Sequence, residues 1–248
     1  ERRCAMRIGY VCKYVPVEAL EAMGAHMERV EPDESLVSFD AAESCMHANV
    51  CSFAKATFET VLSGNLDGIV LTTCCDSMRR LADALRAQTP GLFIHVLDVP
   101  RDTDEAACAL FERNVRKLLS AYGEFANATF SEEKLFAQLG GTLCPAEGNC
   151  DSPLELDYAR LHSEVAPAAP QVDNALQPQV HFSPTMPNVG IAGARANAEI
   201  KRILEAHGVN IAFDITCTNA IRRFVPRKTD TLAQYAHDVL TQLPCARM

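Results

Sequence analysis

Leu66–Leu81, LDGIVLTTCCDSMRRL, runs an apolar strand directly into two cysteines and a helix start. Asp67–Thr72 has the length and β-rich composition of a strand, and Asp76 or Ser77 offers an oxygen to cap a helix beginning near Met78. In an open α/β sheet the carboxyl ends of strands face a crevice in which ligands bind. A thiol placed there meets free N–H groups at a helix N-terminus, which favour its ionised form and let it hold a soft metal. Cys74 and Cys75 read equally as packing residues, because unpaired cysteine is among the most buried side chains.

The same alternation extends outward from this stretch. Met6–Val11 reads as a first strand, Pro16 opens a helix to about Ala25, and His26–Val30 reads as a second strand. Glu31–Asn49 is polar and irregular. Ser52–Ser63 is helical and closed by Gly64, and a helix from about Met78 to Gln88 ends at Pro90 and Gly91. Leu92–Val99 is a strand and Asp102–Tyr122 a long amphipathic helix. Such alternation predicts a parallel sheet with helices on both faces.

From Asn127 the pattern breaks. Ser131 opens one short helix that Gly140 and Gly141 end, and Cys144–Pro187 holds seven prolines with little periodicity. A second α/β unit follows: strand Asn188–Ala192, helix Ala194–His207 closed by Gly208, strand Val209–Ile215 and helix Thr229–Leu243. The expected organisation is an α/β fold of two Rossmann-like parallel-sheet units joined by an irregular Pro-rich segment. The boundaries are 1–126 for a cluster-binding α/β domain, 127–187 for the connection and 188–248 for the start of a second, incomplete domain. The first residue, Glu1, and the stop after Pro244–Met248 make a fragment or truncated product the expectation.

Composition narrows the function. A net charge of −9 argues against a nucleic-acid partner, which needs clustered Lys and Arg. No apolar run reaches the roughly 18 residues of a membrane span, and no signal-peptide pattern opens the chain, so the reading is cytoplasmic and not membrane-bound. Eleven cysteines in that setting favour metal or redox chemistry over disulfides. No CxxC pair marks a zinc site and the ferredoxin run is absent, so any cluster is assembled from separate loops.

Within those loops Cys51 and Cys75 occupy equivalent places, each immediately ahead of a helix. Two such loops in one sheet can converge at its carboxyl edge, where helix dipoles offset cluster charge. Cys217 lies just past a strand of the second unit, while Cys4, Cys45, Cys74, Cys108, Cys144 and Cys150 read as spectators. Gly190-Ile-Ala-Gly193-Ala-Arg195 lacks the third glycine of the dinucleotide fingerprint and reads better as a tight turn than as a phosphate site. Arg79, Arg80, Arg222 and Arg223 follow cysteines but read as solvated helix arginines, and the seven histidines read as structural.

Several segments together resemble the 2-hydroxyacyl-CoA dehydratase D-component family, which includes benzoyl-CoA reductase subunits and double-cubane-cluster proteins. They are Gly9-Tyr-Val-Cys-Lys-Tyr-Val-Pro16 with Glu18 and Ala25, Asn49-Val-Cys51-Ser-Phe, Asp67-Gly-Ile-Val with Cys75-Asp-Ser-Met-Arg-Arg80, and Leu97-Asp-Val-Pro-Arg101. Gly190-Ile-Ala-Gly, Asp214-Ile-Thr-Cys217-Thr with Arg222 and Phe224, and Pro244-Cys-Ala-Arg247 follow in the family's order. The resemblance implies that Cys51 and Cys75 are ligands of an oxygen-sensitive [4Fe–4S] cluster. Family members usually take a third cysteine from beyond the Pro-Cys-x-Arg motif, so the resemblance puts the third ligand in a segment beyond Met248, or at Cys12 or Cys217. Asn219 stands where a glycine is common, and Asn127–Pro187 departs from the family's long helix.

The implied reaction is radical elimination of water from a 2-hydroxyacyl-CoA, through a ketyl, after one-electron reduction by an ATP-dependent iron–sulfur activator. A homologous second subunit completes the heterodimer that the resemblance implies. Two other expectations stand beside it: a double-cubane or benzoyl-CoA-reductase-like low-potential reductase, and a cluster-free scaffold subunit.

Overall fold

The computed structural model describes residues 5–32, 38–141, 183–193, 198–216 and 231–242. Two compact units emerge: Glu1–Leu143 with Phe224–Gln242, and Cys144–Arg223 with Leu243–Met248. Arg195, Cys217, Asn219, Arg222, Arg223, Cys4, Cys144, Cys150, His162, His181, the Pro244–Arg247 motif and nearly all of the Pro-rich segment lie outside the described residues.

The first unit is built on β1 (Met6–Tyr10), β2 (Ala25–Arg29), β3 (Gly68–Thr72) and β4 (Phe93–Leu97), all parallel in the order β2-β1-β3-β4. The chain goes from β1 to one side for β2, then crosses to the other side for β3. The strand order therefore reverses between β1 and β3, the point beyond whose carboxyl ends open α/β sheets bind ligands. β3 is buried at every position, which is why its sequence is a continuous apolar run rather than an alternating one. Gly68 is needed at its start: a Cβ there would lie 2.7 Å from Phe93 Cβ and 2.8 Å from the Phe93 carbonyl oxygen.

Helices cover both faces of this sheet. On one, α3 (Ser52–Ser63) and α4 (Asp76–Gln88) bury Phe58, Val61, Leu81 and Leu85 against Ile69 and Leu71. On the other, α5 (Glu105–Ala126) buries Phe111, Val115 and Leu118, and Tyr122 meets Phe93 edge-on with ring centroids 5.7 Å apart. Asp104 caps α5 by accepting the Ala107 N–H at 2.7 Å, and Asn127 ends it in the left-handed region at φ 50°. The helix is therefore displaced toward the C-terminus from the Asp102–Tyr122 expectation.

Three other local expectations shift. α1 (Val17–Glu21) is a single turn and a half, shorter than the sequence suggested. A short α2 (Asp40–Cys45) stands inside the stretch expected to be irregular, and the Glu59 carboxylate on α3 accepts the Ala42 N–H at 2.9 Å. α4 begins at Asp76 rather than Met78, with Cys75 at its N-cap position.

After α6 (Glu132–Gly141) the described chain resumes with the second unit. There β5 (Asn188–Gly193) pairs in parallel with β6 (Asn210–Thr216), and α7 (Ala198–Ala206) connects them. Gly193, the last residue of β5, has φ +117°, a conformation open to glycine, and the rest of the turn expected from the sequence lies outside the described residues. The last helix, α8 (Leu232–Thr241), was grouped by sequence with the second unit but packs against α5 in the first. Tyr235 donates to Glu18 at 2.7 Å, and Gln242 Nε2 donates to the Lys13 carbonyl at 3.3 Å. These contacts close α8 over the loop that leaves β1.

Candidate functional site

Two loops meet at the carboxyl edge of the first sheet. Cys51 is the N-cap residue of α3 and Cys75 the N-cap residue of α4, both with extended backbone. Neither helix has a side-chain cap, so neither start has an N–H group taken up by its own capping side chain. The Cys51 N–H donates to Ser77 Oγ at 3.5 Å, which brings Cys51 beside the first turn of α4. Ser77, which sequence offered as a cap of its own helix, thus joins the two cysteine loops instead.

The residue before the cysteine pair is fixed from the neighbouring strand. Thr73 Oγ1 donates to Asp98 Oδ1 at 2.7 Å and accepts the Val99 N–H at 3.1 Å, while the Thr73 N–H donates to the Leu97 carbonyl at 3.1 Å. Asn114 on α5 donates to the Asp98 carbonyl at 3.0 Å, which secures the other side of the tie. Cys74 and Cys75 pack, partly buried, against the apolar cluster on the α3/α4 face of the sheet, whose buried members include Val50, Met46 and Met78. Cys51 is exposed and Cys75 half-buried, so the pair straddles the boundary between core and solvent.

Cys74, expected to be a spectator, is held with Cys75. Its thiol is pushed well above the ordinary range, first by a hydrogen bond with Cys75, then by burial and by the charge at Cys12. The Thr72 hydroxyl acts the other way. Cys74 therefore keeps its proton. Cys12 enters this group because β1 and β3 are neighbours, a relation that nothing in its own sequence context announces.

The remaining candidates are placed elsewhere or act locally. Arg79 and Arg80 are exposed and pair with Asp76 at 3.9 Å and Asp83 at 3.1 Å along α4. His95 stacks on Phe93, and burial followed by the Arg86 charge holds its pKa below the ordinary value. His47 accepts the Asn49 N–H at 3.2 Å, and His207 and His237 lie within hydrogen-bond distance of their own helices. A groove of about 460 Å³ lies between α5, Phe130 and Leu232, and no thiol-bearing loop lines it.

A soft metal group asks for thiolate donors and a means to offset negative charge. Cys51 and Cys75 could provide the first, and the two helix starts without side-chain caps the second. Among the described residues no three His, Cys, Asp or Glu side chains are gathered as a metal site. No helix among them is long and apolar enough to cross a membrane.

Comparison with known proteins bears on what this edge of the sheet is for. Residues 12–140, which contain both cysteine loops and β2 to β4, match the family described as 2-hydroxyglutaryl-CoA dehydratase, D-component. No curated protein matches the chain. The match covers more than half of the sequence, and the chain belongs to the 2-hydroxyglutaryl-CoA dehydratase D-component family.

Proposed function

We propose that this member of a dehydratase component family is the iron–sulfur subunit of a 2-hydroxyacyl-CoA dehydratase, with Cys51 and Cys75 as ligands of a [4Fe–4S] cluster. The observation that carries the reading is the Cys51 N–H···Ser77 Oγ contact, which joins the two cysteine-capped helix starts at one edge of the sheet. When bound, such a group supplies a single low-potential electron to a CoA thioester, so that a hydroxyl leaves as water although the β-hydrogen is barely acidic.

The chain's own residues prepare the place. The starts of α3 and α4 direct their positive ends at the thiols and favour an anionic occupant. The apolar cluster against which Cys74 and Cys75 pack, Val50, Met46 and Met78 among its members, keeps that side of the two thiols partly buried. Thr73 and Asp98 fix the backbone from which Cys75 projects, and the Cys74 thiol supports Cys75 by hydrogen bonding. The partners in this reading are a homologous second dehydratase subunit, an ATP-dependent iron–sulfur activator and the acyl-CoA, in the cytoplasm.

Cys74, next to Cys75 and within reach of the Cys12 charge, favours one second reading, a double-cubane-type or benzoyl-CoA-reductase-like subunit with more thiol ligands. Iron and acid-labile sulfide per chain, measured after strictly anaerobic purification together with the EPR spectrum of the reduced sample, separate these. About four of each supports the dehydratase-type cluster, and roughly twice that supports the double-cubane reading. Cys51→Ser and Cys75→Ser each lose the cluster; iron and sulfide retained in both variants overturn the ligand assignment. None in the wild-type chain, even after reconstitution, leaves the scaffold reading.

A further inference from the structure

Both backbone groups of Cys51 are committed, and to different helices. Its carbonyl accepts the Ala54 and Lys55 N–H groups at 3.0 and 3.2 Å and so starts α3, while its N–H donates to Ser77 Oγ at 3.5 Å. On the other side the Cys75 carbonyl accepts the Met78 N–H at 3.2 Å, and the turn closed by this bond contains Ser77. The Ser77 hydroxyl therefore ties the backbone of one cysteine to the turn that the other cysteine opens. Such a contact adds little to the fold. It is long and lies at an exposed position, so water satisfies the Cys51 N–H once the hydroxyl is gone. The packing of α3 and α4 comes instead from Phe58, Val61, Leu81 and Leu85, buried in one cluster. What the hydroxyl adds is a fixed relation between two backbone positions, each of which carries a thiol.

We propose that Ser77 is a positioning residue: its hydroxyl holds the Cys51 loop against the first turn of α4 before iron is bound, so that the ligand pair read under Proposed function, on which this rests, meets the metal already in place. Ligands fixed in advance give up less chain freedom on binding. Loss of a residue that supports metal ligands from outside the ligand set typically weakens the metal's hold by about 10-fold or more. Cys51 and Cys75 thus set whether the group is held, and Ser77 sets how firmly.

The test reconstitutes the full chain, Ser77→Ala and Ser77→Thr anaerobically and times the release of iron to an excess of a ferrous chelator. Melting of the cluster-free proteins is measured in parallel. Ser77→Ala is expected to release iron about 10-fold faster than wild type, while its cluster-free form melts with wild type. Ser77→Thr, which keeps the hydroxyl, releases iron at the wild-type rate. A Ser77→Ala protein that holds iron as wild type does overturns the role of Ser77 and leaves the ligand pair standing. Equally fast release in both variants, or faster release together with a lower melting temperature, marks a packing effect and overturns it as well. Iron kept in both Cys51→Ser and Cys75→Ser, or a wild-type chain that takes up none, overturns the ligand pair itself, and the role of Ser77 falls with it.

Discussion

Replacing Thr73 by valine keeps the shape of the side chain and removes two hydrogen bonds from the tie between β3 and β4. The donor lost to Asp98 spans 2.7 Å, a short contact with a carboxylate, but Asp98 is exposed and water replaces much of what the hydroxyl gave it. That loss is worth about 1 kcal/mol after screening is allowed for. The acceptor lost to Val99 matters as much, because Val99 is 5 % exposed and its N–H at 3.1 Å is left with no hydroxyl to meet. Stranding a largely buried N–H costs about 1 kcal/mol or a little more. The expected destabilisation is therefore about 2 kcal/mol, a fall of roughly 4–8 °C in the melting temperature for a protein of this size. Urea unfolding followed by circular dichroism measures it, and Thr73→Ser, which keeps the hydroxyl, restores most of the loss. A Thr73→Val protein within about 0.3 kcal/mol of wild type refutes the reasoning, since the tie then contributes nothing to the edge that carries Cys75.

Gly68→Ala forces a Cβ to within 2.8 Å of the Phe93 carbonyl, so β3 and β4 must part; a loss of about 3 kcal/mol in urea unfolding is expected, and a neutral substitution contradicts the close approach. Asp104→Ala removes the cap of α5 and costs about 1 kcal/mol, while Asp104→Ser retains most of it, read as a difference in denaturation midpoint. His95 has a folded-state pKa below its ordinary value, chiefly through burial, so the unfolded chain binds the proton more readily. Its contribution is intact above about pH 6.5 and is lost as pH falls from there toward the folded-state pKa. Stability measured from pH 7.5 to 5.5 drops less in His95→Gln, and an unchanged slope contradicts the assignment.

Much of the first unit is legible in the sequence because its signals are local. The runs Met6–Tyr10 and Gly68–Thr72, the cysteines ahead of Ser52 and Asp76, and the amphipathic α5 are each decided within about a dozen residues. What escaped depends on distant partners. α2 is six residues long, too short to hold itself, and the sequence around it does not show that Glu59 supports it. Ser77 looks like a cap within α4, yet its hydroxyl accepts an N–H from a loop 26 residues away. Cys12 joins Cys74 only because β1 lies beside β3, and strand order is not written in hydrophobic periodicity. The same holds for α8, which follows the second unit in the chain but packs in the first.

That placement of α8 carries a consequence for synthesis. The first unit is discontinuous: its sheet and most of its helices come from the first 143 residues, but the helix over α5 arrives only with residues 232–241. During translation the α5 surface around Leu119, which shares a groove with Leu232, waits uncovered while the second unit is being made. The Tyr235–Glu18 hydrogen bond, across 217 residues, cannot form until α8 has been made. Limited proteolysis of ribosome-bound chains halted before and after α8 emerges therefore finds α5 cleavable in the first and protected in the second.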